Sequence, residues 1–423
     1  MYSLSYIDPG TGSMIFSLFI GIAAAASFAL NALWVKLKFV FSGGKIKNSE
    51  NDNTIPYIIY SDHKQYWNIF HSICDEFEKR QIPLVYWTAY SDDPVLSADY
   101  KFVKAEFIGE GNKGFAKLNF LKADILLATT PGLDVYQWKR SKNVKWYVHI
   151  PHTLDELSGY RMFGLDYYDA IVCSGENQVR WVKKVESMRD ITPKELVVCG
   201  SPHHDEMFAK KQAQSNNNKN EVPVILVAPS WGKSAILSRF GKRFIQAVLD
   251  IGYKVIVRPH PQSTVVEKGL LQELSSAFSD NPNLTWNYDN DNFDVLSQSD
   301  LLITDFSGVI LDYTMIFGKP CIYADTNFDP SPYDVYWSDD IRWSIKILPD
   351  IGCPLKESDF DNMKNRIDEV LMSKSLQYGI EKIRTDCWAN IGTSAQKITD
   401  YLINKHNTLI DSNLQEKQEI NKE

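Results

Sequence analysis

Short apolar runs recur along the chain, separated by longer stretches in which apolar positions return at helical spacing. The first series is YIIY at 57–60, PLVYW at 83–87, DILLAT at 124–129, WYVHI at 146–150, AIVCS at 170–174 and LVVCG at 196–200. Buried strands alternating with helices predict a parallel, doubly wound sheet, because a parallel partner is reached only through a crossover. The stretch KKQAQSNNNKNE at 210–221 holds no large apolar residue and predicts an exposed linker. The rhythm then restarts with VPVILVAP at 222–229, YKVIVRPHP at 253–261, DLLITDFSG at 300–308 and KPCIYAD at 319–325. The expected fold class is therefore α/β, with two doubly wound Rossmann-like domains at 54–209 and 222–385. A C-terminal helix is expected over 386–406, where Ile398, Tyr401 and Leu402 share one face, followed by a flexible polar tail at 407–423.

The front of the chain has a different pattern. Residues 14–35, MIFSLFIGIAAAASFALNALWV, carry no charge and have about the length a helix needs to cross a hydrocarbon core. A single N-terminal transmembrane helix is expected; a cleaved signal peptide and a buried core helix are the alternatives. Lys36, Lys38, Lys45 and Lys47 follow with no acidic residue before Glu50, which by the positive-inside rule makes a single-pass protein of the cell membrane with its catalytic domains in the cytoplasm.

Composition narrows the partners. The 423 residues are 44% hydrophobic and carry a formal net charge of −8, so a whole-molecule cationic field is absent and no nucleic-acid partner is expected. Cys74, Cys173, Cys199, Cys321, Cys353 and Cys387 are scattered, without zinc-ligand spacing, and read as reduced and mostly buried thiols.

Candidate chemistry gathers after the predicted strands. Asp305-Phe306-Ser307-Gly308 turns the strand LLI at 301–303 into a helix, with Ser307 placed as its N-cap, and such a turn exposes backbone N–H groups to a phosphate. A cap and a turn residue without a ligand would look the same. Arg258-Pro259-His260-Pro261 follows VIV at 255–257; the prolines restrict the backbone, and the guanidinium can fork onto phosphate oxygens or pair with a carboxylate in a surface turn. Ser230 and Lys233 lie in the polar turn PSWGKS at 229–234, which lacks the spacing of a nucleotide-hydrolase loop. In the first domain His149 and His152 sit just past a strand and a His-His pair recurs at His203-His204, imidazoles suited to proton transfer near neutral pH; a core-satisfied His149 and solvent-facing His203 and His204 are the alternatives. No metal and no cofactor are expected, since the histidines lack ligand spacing and no carboxylate pattern closes a set.

The order VAPSWGKS at 227–234, VIVRPHP at 255–261 and DLLITDFSGVILDYTMIFGKPCIYAD at 300–325 resembles the CDP-glycerol glycerophosphotransferase family, the teichoic-acid-type primases and polymerases of the two-domain GT-B fold. The resemblance spans roughly residues 145–402. It implies a membrane-anchored transferase that moves an alcohol phosphate from CDP-glycerol or a related CDP-alcohol to a lipid-linked or glycan hydroxyl, releasing CMP. It further implies His152, or secondarily His149, as general base, and donor binding by Arg258, His260, Asp305, Ser307 and Gly308, with Ser230 and Lys233 nearby. Two departures stand out: the family's W-H-G-T-P-like run reads VHIPHTL here, and its second serine after the Asp-aromatic-Ser motif is Gly308. A GT-B nucleotide-sugar glycosyltransferase or epimerase, and an inactive membrane-tethered binding protein, are the alternative readings.

Overall fold

In the computed structural model the described residues are 54–214, 220–289, 291–324, 331 and 333–420. The expected transmembrane segment at 14–35 lies outside them. Among the described residues no helix is long and apolar enough to cross a membrane.

The first lobe is a seven-stranded parallel sheet in the order β3-β2-β1-β4-β5-β6-β7. Its strands are β1 (Ile55–Ser61), β2 (Leu84–Thr88), β3 (Val103–Phe107), β4 (Ala123–Ala128), β5 (Val144–His149), β6 (Ala170–Cys173) and β7 (Glu195–Val198). Helices α1 (Trp67–Lys79), α2 (Glu176–Arg189) and α3 (Pro202–Ala213) belong to the same lobe. β1 and β4 are buried on both faces, as a sheet covered by helices on two sides requires.

The second lobe is a six-stranded parallel sheet in the order β10-β9-β8-β11-β12-β13. It contains β8 (Val224–Val227), β9 (Lys254–Val257), β10 (Leu284–Trp286), β11 (Leu301–Thr304), β12 (Cys321–Ala324) and β13 (Gly352–Leu355), with α4 (Ile236–Leu249) after β8 and α5 (Lys374–Cys387) after β13. Three strands went unread in the sequence. β3, VKAEF, is a largely exposed edge strand, β10 is a three-residue edge strand, and β13, GCPL, is an edge strand carrying Gly and Pro. Edge strands need no continuous apolar run and tolerate the residues that central strands exclude.

The lobes share a continuous interior. Leu154 and Met207 from the first lobe pack in one apolar cluster with Leu226, Ala228, Ile310 and Leu311 from the second. A Cβ on Gly175, ahead of α2, would stand 2.4 Å from the backbone of Asp386 and Cys387 at the end of α5, so only glycine permits that approach. The chain then returns to the first lobe as α6 (Ser394–Ile420). Ile398 and Leu402 are buried with α1 and the first sheet, Tyr401 accepts from Trp146 Nε1 (3.2 Å), and His406 meets Asp124 (3.0 Å). The helix expected to end at 406 thus runs to Ile420, and the segment expected as a loose tail up to that residue is its continuation. Helical hydrogen bonding needs no apolar face, so a polar stretch extends a helix already anchored by its first turns. All six cysteines are free thiols, five of them buried.

Candidate functional site

In the second sheet Val257, Val227 and Ile303 are register partners across β9, β8 and β11. The turns carrying Arg258, Ser230 and Asp305 therefore leave the same edge side by side, with β9 and β11 about 10 Å apart at the ordinary strand spacing. Strand order reverses between β8 and β11, the position at which open α/β sheets form ligand crevices.

Asp305 joins the two turns. It is 1% exposed, and its carboxylate accepts from the Ser230 N–H (2.8 Å) and the Ile236 N–H (3.1 Å). Burial raises its pKa, and the surrounding backbone N–H groups of Ser230, Ile236, Phe306 and Ser307 work against that rise. Through these bonds the Asp305 side chain shapes the loops around the crevice.

The helix after this turn is capped at Gly308 with no side-chain cap hydrogen bond, which corrects the placement of Ser307 as N-cap. Ser307 contributes its backbone carbonyl, which accepts from Ile310 N–H (3.2 Å). Gly308 is exposed with φ −60°, and a Cβ there would meet open space. Glycine is not demanded by the backbone, and the missing serine side chain leaves room beside the turn.

Arg258 donates to Asn287 Oδ1 and to the Asp289 carbonyl (2.7 Å), bracing the loop after β10, and burial lowers its pKa. His260 Nδ1 accepts from the Gln262 N–H (3.1 Å), and its ring lies 6.4 Å from that of Trp231, which is exposed. Lys233 points into solvent.

In the first lobe, β5 ends in His149. His149 is fully buried, and burial together with the neighbouring His152 pushes its pKa down to about 3, so the ring is neutral. Its Nε2 is 3.1 Å from the Tyr160 hydroxyl, which is 3.5 Å from His152 Nδ1. His152 is open to solvent on one side, yet enough protein surrounds it that lost hydration lowers its pKa, with His204 adding to the effect. If Tyr160 donates to the neutral His149, its oxygen receives Nδ1–H of His152 and leaves Nε2 of His152 as a bare acceptor. Tyr160 carried no signal in the sequence; its role comes from the loop that folds it back over β5.

That loop is held by both lobes. Gln178 Nε2 donates to the carbonyls of Thr153 (2.8 Å) and Asp155 (2.9 Å), and Asn177 Nδ2 donates to that of Leu154 (2.8 Å). From the second lobe Arg342 bonds Asp155, and the Trp343 N–H donates to Glu156 Oε1 (2.7 Å).

His204 is 2% exposed, which excludes the solvent-facing alternative for it. Its Nδ1 accepts from Ser201 Oγ (2.7 Å) and its Nε2 donates to Asp312 Oδ1 (3.2 Å) on the opposite lobe. Burial acts to raise the Asp312 pKa, but the His204 hydrogen bond and charge hold it below the ordinary value. Proximity to Asp312, seven residues after Asp305, is what removes His204 from solvent. His203 is also largely enclosed, and burial, then His204, push its pKa down to about 4. Among the described residues no group of three or more His, Cys, Asp or Glu side chains is arranged to hold a metal ion.

Comparison with known proteins agrees with this architecture. Residues 166–334 match the family model described as CDP-Glycerol:Poly(glycerophosphate) glycerophosphotransferase, so the resemblance carried by the second-lobe motifs is shown over that span; His149 and His152 precede it. No curated protein matches the chain. Among solved structures, a putative UDP-N-acetylglucosamine 2-epimerase from Listeria monocytogenes superposes with a TM-score of 0.53 at 14% identity, covering 82% of this chain and 95% of that one. The S. aureus MnaA-UDP structure gives 0.53 at 12% identity, covering 82% and 96%. A UDP-GlcNAc 2-epimerase from Neisseria meningitidis bound to UDP-GlcNAc gives 0.51 at 12% identity, covering 83% and 100%. At these identities the likeness is one of fold: two Rossmann-like lobes of the GT-B type.

Proposed function

We propose, from the glycerophosphotransferase match over residues 166–334 and the cleft between the lobes, that this protein is a transferase of cell-surface polymer synthesis that takes an alcohol phosphate from a CDP-alcohol, CDP-glycerol first among them. The acceptor oxygen attacks the β-phosphorus of the donor, the bond from that phosphorus to the bridging oxygen breaks, and CMP leaves with the bridging oxygen. His152 Nε2 takes the hydroxyl proton. Transfer of this kind depends on position and on neutralising charge. The cationic face of Arg258 answers that need on the donor side. An N-terminal membrane anchor at 14–35 would bring the enzyme to a lipid-linked acceptor and raise its effective concentration.

The observation that supports the reading is the pairing of a switch-point crevice in the lobe whose motifs lie within the family match with a neutral, solvent-open imidazole on a loop fastened to both lobes. A nucleotide-sugar transferase or epimerase of the same fold remains the second reading, favoured by the likeness to the epimerase structures. Donor identity separates the two. Incubated with a panel of CDP-alcohols and nucleotide-sugars plus membranes as acceptor, the protein should release CMP from a CDP-alcohol; release of UDP, or turnover of sugar nucleotides alone, would refute the proposal.

Two variants test the parts. Arg258→Ala should weaken CDP binding in a calorimetric titration by about tenfold, the order of one charge-assisted hydrogen bond. An unchanged affinity would remove Arg258 from the donor site. Tyr160→Phe, which keeps the ring and deletes the hydroxyl between His149 and His152, should lower kcat by roughly two- to tenfold with KM unchanged. A rise in KM at constant kcat would contradict a role in orienting the base.

A further inference from the structure

In the first sheet strand order reverses between β1 and β4, so this sheet has a switch-point crevice of its own, beside the His152 loop. The register pairs Tyr60 with Ala128 and Ala128 with His149, which aligns the residues following β1 and β4 with the end of β5. What stands there is polar and unpaired. Asp62 Oδ1, the hydroxyl of Thr129 and His149 Nδ1 are buried without a hydrogen-bond partner, and the Thr130 hydroxyl stands beside the Asp62 carboxylate. Thr129 and His149 are fully buried. Leaving a buried polar atom unpaired is costly, so a cluster of them at a sheet edge marks where a polar group from outside the chain belongs.

Aromatic rings wall the same place. The Tyr168 hydroxyl donates to the Thr130 carbonyl (2.5 Å), its ring is 5.0 Å from that of His149, and the Tyr66 ring is 5.6 Å from that of His152. Burial raises the pKa of Asp62 and a hydrogen bond from the Thr130 hydroxyl opposes this, while burial, and after it the Asp62 charge, raises the pKa of Tyr66. An acceptor-only carboxylate, two hydroxyls and an imidazole nitrogen, with ring faces around them, match vicinal hydroxyls on a carbon skeleton whose C–H face lies on the rings.

We infer that this cup binds the neutral polyol or sugar terminus of the acceptor, with Asp62, Thr129 and Thr130 bonding its hydroxyls and one hydroxyl directed toward His152. The carboxylate disfavours an anionic terminus, so acceptor phosphates lie outside the cup. Assigning the ligand to the acceptor rests on the transferase reading above; the affinity of the cup for a diol does not.

The test uses the full-length protein and two probes, glycerol and methyl α-D-glucopyranoside, observed by saturation-transfer NMR. Wild type should show saturation transfer to at least one probe. Asp62→Asn and Thr130→Val should each reduce that signal several-fold, with CDP binding and melting temperature retained. With a donor that turns over, Asp62→Asn should also raise the acceptor KM by about tenfold and leave the donor KM unchanged. No signal from wild type, or an undiminished signal in a folded variant, overturns the inference, as it would if the cup held only structural water. Should Asp62→Asn fail to fold, Thr130→Val decides by the same criterion. If no CDP-alcohol is consumed but the diol signal is lost in the variants, the function proposal fails and the cup stands.

Discussion

Alanine at His152 is expected to lower kcat/KM by about 10²–10⁴-fold, the usual contribution of a positioned general base. The ring is exposed, so its removal leaves no buried cavity, and CDP affinity and melting temperature should stay at wild-type values. The loop around it keeps its own fastenings to Gln178, Asn177 and Arg342. The pH dependence carries a sign. Burial and the neighbouring His204 hold the His152 pKa below its ordinary 6.5, so the imidazole is unprotonated at neutral pH. In wild type kcat/KM should therefore be flat near neutrality and fall as pH drops through a value below 6.5, where the base acquires its proton. His152→Ala should lose that acidic limb. Unchanged turnover, or an acidic limb that persists in the variant, would take the base role away from His152.

Arg189→Ala should produce the largest loss of stability. The Arg189 side chain is only 6% exposed and bonds Asp166 (2.7 Å) and Asp334, itself 4% exposed. Its guanidinium lies against both Phe163 (5.0 Å) and Trp337 (5.6 Å). Asp334 also accepts from the Phe163 N–H (3.1 Å), and its own N–H donates to the Tyr160 carbonyl (2.9 Å). Removing the arginine strands two carboxylates in a poorly hydrated site, a loss of about 3–5 kcal/mol. For a chain of this size that corresponds to a Tm decrease of roughly 3–6 °C. The effect should reach the cleft, because this cluster ties the segment at 333–343 to the backbone of Tyr160. A variant that melts within about 2 °C of wild type would show that the pair contributes little beyond its desolvation cost. Arg189→Lys should recover part of the loss, since a point charge meets one carboxylate but cannot fork between two or stack on both rings.

Some of this was legible before any coordinates. The central strands β1, β4, β6, β8, β11 and β12 announce themselves because burial on both faces demands unbroken apolar runs. The motifs at 229–234, 258–261 and 305–308 were visible because turns that leave a parallel strand need Gly, Pro, Ser and Asp at fixed offsets. Edge strands β3, β10 and β13 were not, since a strand with one neighbour answers to fewer packing constraints.

The side chains of the site divide along the same line. His149, His152 and Arg258 could be named as chemically capable from their positions after strands. Whether a capable group is free to act depends on its neighbours. Arg258 braces Asn287, Asp305 is spent on two backbone N–H groups, and His204 is drawn out of solvent by an aspartate 108 residues further along. Tyr160 and Asp62 gain their meaning only from the register that sets β1, β4 and β5 side by side. Periodicity and turn chemistry are local, so the order of residues determined the α/β class, the central strands and the placement of the turns. Hydrogen-bond partners, burial and the pKa directions that follow arise between residues distant in sequence, and only the folded arrangement of the two lobes decided them.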